Sequence, residues 1–76
     1  MMQTIIKNII KISNIQNRIA KQQKQATKNI DTENFENAVV NLDKIITLQE
    51  KEYEILEKLT NYLDTSIQFI KGLTNK

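Results

Sequence analysis

Nine carboxylates lie between Asp31 and Asp64, and their spacing is the first pattern in the chain that could carry chemistry. Glu50 with Glu54, and Glu54 with Glu57, stand one helical turn apart. Such pairs serve as general acid and base, or as ligands of a di-iron bundle. A di-iron bundle also needs Glu-x-x-His motifs, and this chain has no His. An acid–base pair needs a concave pocket, which two helices do not supply by themselves. Covalent catalysis lacks a nucleophile: there is no Cys, and Ser13 and Ser66 have no neighbouring base motif. The single glycine, Gly72, rules out a Gly-rich phosphate loop. Without Cys or His there is no zinc site and no disulfide. The expectation is a protein that is not an enzyme, with no cofactor, no metal and no small-molecule substrate.

The carboxylates are nevertheless ordered. Glu36, Asp43, Glu50, Glu57 and Asp64 recur every seven residues, and Lys44, Lys51 and Lys58 follow them by one. With Val39 at heptad position a and Leu42 at d, the acids occupy e and the lysines f. The e row borders a heptad seam, where charge selects partner and register. A solvated face of ion pairs is the expected role, each exposed pair contributing only about 0.2–1 kcal/mol.

The element that positions these acids is a long amphipathic helix. Its a and d positions read Phe35, Val39, Leu42, Ile46, Gln49, Tyr53, Leu56, Thr60, Leu63, Ile67 and Ile70. Two further rows are largely apolar: g, with Ala38, Ile45, Leu59 and Leu73, and c, with Leu48, Ile55, Tyr62 and Phe69. These four rows are contiguous and cover about half the helix circumference. One partner helix cannot cover so wide a face.

Pro is absent, so long helices meet few breaks. A first helix is expected over about 3–28, with Ile5, Ile9, Ile12, Ile19 and Ala26 along one stripe and Gln16 and Gln23 as polar seam positions. A turn is expected at about 29–31. Asn29 suits a left-handed helix end, Asp31 an N-cap, and Ile30 with Phe35 a hydrophobic staple. A second helix is expected over about 32–71, with Gly72 as its C′ residue and Leu73 folding back over Ile67. Residues 60–66 are its weakest stretch, where a kink would fall, although an uninterrupted helix is expected.

These elements make an all-α, antiparallel two-helix hairpin with unequal arms, a single small domain of 76 residues. Such a chain is marginal alone. Its d and a rows are expected to pack on the first helix up to about residue 60. The partner interface is then expected at Leu48, Ile55, Leu59, Tyr62, Leu63, Ile67, Phe69, Ile70 and Leu73. The simplest closure is a homodimer forming a four-helix bundle, and the alternative is a larger protein partner.

Charge is segregated: residues 1–30 carry six cations and no acid. That basic helix is the natural complement of the acids. It also raises non-specific nucleic-acid binding, which the single Arg and the acidic second helix disfavour. The N-terminal Ile/Lys pattern would suit an anionic membrane surface, but the second helix needs the same isoleucines for packing. No 18-residue apolar run and no export signal are present, so the chain reads as soluble and cytoplasmic. The segment Asp31–Glu36, followed by long apolar heptads, resembles the start of the second helix in type III secretion and flagellar export co-chaperones. The likeness implies a helical hairpin and assigns neither a function nor a role to any residue. The best-supported expectation is a protein–protein interaction module of adaptor, co-chaperone or inhibitor type.

Overall fold

The computed structural model describes residues 2–74. Two helices, α1 (Met2–Asp31) and α2 (Phe35–Thr74), lie side by side and antiparallel. They hold 30 and 40 residues, so they run about 45 and 60 Å. The Cα framework measures 65 × 17 × 13 Å, a slab one helix thick. The ten-residue excess of α2 projects beyond the first residues of α1.

The seam follows from heptad spacing on both helices. On α1 the buried and half-buried residues are Ile5, Asn8, Ile12, Ile15, Ile19, Gln22, Ala26 and Asn29, with steps of three and four. On α2 they are Ala38, Asn41, Ile45, Leu48, Glu52, Ile55 and Leu59 along the seam, with Ser66 half-buried beyond it. Steps of three and four keep each set on one face as the helices pack. Ala26 and Ala38 are both buried near the turn, and their small size lets the helix axes approach there.

The α2 seam is therefore built from rows c and g, not from d and a as the spacing alone suggested. The polar positions on α1 also differ from those expected. Gln22 and Asn29 line the seam, while Gln16 and Gln23 are exposed. The physical reason is a match of polarity. Asn41 is buried, and its Nδ2 donates to Gln22 Oε1 at 2.8 Å and to Gln25 Oε1 at 3.3 Å. Its Oδ1 accepts from Asn29 Nδ2 at 2.7 Å. The polar seam of α1 selects the rows of α2 that can answer it.

The turn lies later than its composition suggests. Helix α1 continues through Asn29 to Asp31, and Glu33 takes the left-handed conformation at φ 59°. Asn34 N donates to Asn29 O at 2.7 Å and Glu33 N to Ile30 O at 3.0 Å, the hydrogen-bond pair of a Schellman ending. Ala38 N then donates to Asn34 O at 3.1 Å, which makes Asn34 the residue that opens α2. Asp31 is thus the last residue of α1 rather than an N-cap. Ile30 and Phe35, the expected staple, remain exposed.

At the far end, α2 passes through Gly72 to Thr74, and no glycine has positive φ. Gly72 is an ordinary helical residue here. Residues 60–66 are helical throughout. Thr65 and Ser66 donate their hydroxyls to the carbonyls of Asn61 and Tyr62, so these polar side chains are satisfied within the helix.

Candidate interaction surface

Because the seam uses rows c and g, rows d and a are left outside. Phe35, Val39, Leu42, Ile46, Tyr53, Leu56, Leu63, Ile67 and Ile70 are 41–69% exposed. They form one apolar stripe along the whole of α2. Soluble monomers seldom expose contiguous apolar patches beyond a few hundred Å².

Helix handedness decides what lies beside this stripe. A groove on one side of the hairpin is lined by residues that include Arg18, Lys21 and Gln25 of α1 and Val40, Asp43 and Lys44 of α2. That side carries rows b and f of α2, so rows d and a emerge on the opposite side. On α1, the flank bordering the groove holds Lys7, Lys11, Arg18, Lys21 and Lys28 by helical spacing. The other flank holds Ile6, Ile9 and Ile30, which are 50–53% exposed. The hairpin is thus two-sided. One broad face is rich in cations, including Lys44, Lys51 and Lys58, and also carries Val40, Asp43 and Glu54. The other is apolar and draws on both helices.

The acidic row Glu36, Asp43, Glu50, Glu57 and Asp64 is exposed throughout. Row e lies about half a turn from the c/g seam, so these acids point away from α1. They line the outer edge of α2, between the apolar stripe and the cationic side, where Asp43 also borders the groove. The hydrogen bonds that cross the hairpin are instead made by uncharged amides.

The residues expected to meet a partner fall into three places. Leu48, Ile55 and Leu59 are half-buried in the seam with α1. Leu63, Ile67 and Ile70 belong to the exposed stripe. Tyr62, Phe69 and Leu73 continue rows c and g past the start of α1 and are also exposed. Tyr62, Thr65, Ser66, Phe69 and Ile70 line an apolar groove of about 460 Å³ there. Sequence reasoning missed the turn-proximal stripe, Phe35 to Ile46, which it had placed against α1.

The exposed area is large for the mass. A compact monomer of 8.9 kDa would expose about 4,800 Å². This hairpin exposes 6421 Å², roughly 1,600 Å² more. One polar defect also sits in the seam: Glu52 Oε2 is buried and has no hydrogen-bond partner. Among the described residues, no group of three or more acidic, His or Cys side chains could hold a metal ion. No helix among them is long and apolar enough to cross a membrane.

The chain matches no family model, no curated protein and no solved structure.

Proposed function

We propose that this protein is a non-enzymatic protein–protein interaction module that binds through the apolar d/a face of α2 and the adjoining isoleucines of α1. One observation carries the reading: large apolar side chains are exposed at nine of the eleven heptad positions from Phe35 to Ile70, the other two being Gln49 and Thr60. A straight stripe of heptad periodicity fits another helix better than it fits a small ligand. The intramolecular seam holds the hairpin without these residues, so the face is available for binding. The acids along the edge of α2 would bias register and partner choice.

Site-specific photo-cross-linking in the source cell tests this reading. A photoreactive phenylalanine analogue at Ile46 is expected to cross-link to protein, while the same analogue at Lys21, on the cation-rich face, should not. Equal protein cross-linking from both positions would overturn the proposal. So would capture of lipid alone from position 46.

A further inference from the structure

The interaction reading leaves the occupant of the face open, and on that basis we propose that it is a second copy of this chain. The two copies dock antiparallel, α2 on α2, with the two-fold axis passing between Tyr53 and Leu56.

The sequence of the exposed stripe supports this arrangement, because it is nearly palindromic. Reflected about that axis, Tyr53 meets Leu56, Ile46 meets Leu63, Leu42 meets Ile67 and Val39 meets Ile70. The two polar members of the stripe, Gln49 and Thr60, meet each other. A polar layer of this kind sets register in coiled coils. Sliding one copy by a heptad in either direction breaks the match. One slide sets Thr60 against Leu42 and Gln49 against Tyr53, and the other sets Gln49 against Ile67 and Thr60 against Leu56. Both slides also shorten the overlap. A two-fold interface must be self-complementary, and only the unshifted register makes this stripe so.

The second helix adds to the same centre. The Asn41–Gln22 contact fixes the antiparallel register of the hairpin, which sets Ile9 level with Glu54 and Ile6 level with Glu57. Ile6 and Ile9 therefore flank the proposed axis on the apolar side. The arrangement also covers the d/a side of the overhang. Leu63, Ile67 and Ile70 of one copy lie on Ile46, Leu42 and Val39 of the other, where α1 could not reach them.

The area is sufficient. A stable interface needs about 800 Å² per partner, about half of the surface this hairpin exposes beyond a compact monomer. On the outer edge, Asp43 approaches the second copy's Asp64 and Glu50 its Glu57, while Glu36 approaches its Lys71. These groups are exposed, so their effect is small.

Distance measurements between single spin labels test the geometry in the full chain, which has no native Cys. In the antiparallel register, labels at Glu57→Cys are offset along the bundle by only about 8 Å, and labels at Asp43→Cys by about 35 Å. A short distance at 57 and a long one at 43, with dimer mass in sedimentation equilibrium, is the expected result. Equal short distances at both positions would mean a parallel pair and would overturn the proposal. Monomer mass without dipolar coupling would overturn the second-copy assignment alone. Protein cross-links from position 46 would then still support the interaction reading, and their absence would remove that reading as well.

Discussion

Asn29 Nδ2 donates to Asn41 Oδ1 at 2.7 Å across the seam, joining residues twelve positions apart through a turn. Asn41 is only 6% exposed and also serves Gln22 and Gln25. Replacing it removes three hydrogen bonds and strands their partners. Asn41→Ala is expected to lower stability by about 1–3 kcal/mol. Thermal melting followed by circular dichroism, at one fixed protein concentration, should show Tm falling by about 4–8 °C for each kcal/mol.

This amide cluster also explains what could and could not be read from the residues. The absence of Pro, the spacing of isoleucines and the short polar break were enough to recognise two antiparallel helices. The phase of the seam was not legible, because four adjacent rows of α2 are apolar. The signal that could have corrected this lay on α1, where Gln22 and Asn29 share the stripe of Ile12, Ile15 and Ile19 at heptad spacing. An amide on one helix needs an amide opposite, and Asn41 is the one that fits. The turn was misplaced for a different reason. Asn29 tolerates the left-handed region better than Glu33, yet its side chain is already engaged in the seam.

Glu33 holds φ 59° with a full side chain. A left-handed residue bearing a Cβ costs about 1–2 kcal/mol, part of which glycine recovers. Glu33→Gly is expected to stabilise the hairpin by about 0.5–1 kcal/mol, and Glu33→Val to destabilise it. Chemical denaturation midpoints for the two variants should move in opposite directions. Movement in the same direction would contradict the turn geometry.

Glu52 contributes a buried carboxylate oxygen without a partner to the seam with α1. Glu52→Leu restores the heptad pattern between Leu48 and Ile55. A gain of about 1–3 kcal/mol is expected. A lower urea midpoint in this variant would show that the oxygen finds a partner in solution.

Two isoleucines of the same helix should behave very differently. Ile15 is 9% exposed in the seam, whereas Ile10 is 53% exposed and lies on neither the seam nor the apolar face. Ile15→Ala is expected to cost about 2–5 kcal/mol, enough to unfold a marginal hairpin. Ile10→Ala should stay within about 0.5 kcal/mol of the parent. Far-ultraviolet circular dichroism distinguishes the two outcomes directly.

The three-residue turn has a kinetic consequence. Closing so short a loop carries little entropic penalty, and each further seam contact forms next to one already made. The two arms can therefore zip outward from the Asn29–Asn41 clasp, as low contact order favours rapid folding. Opening must run the same route backwards, with Ile5 and Leu59 parting long before Ala26 and Ala38. Amide hydrogens would then report a graded ladder of protection, steepest at the turn and weakest at the free ends.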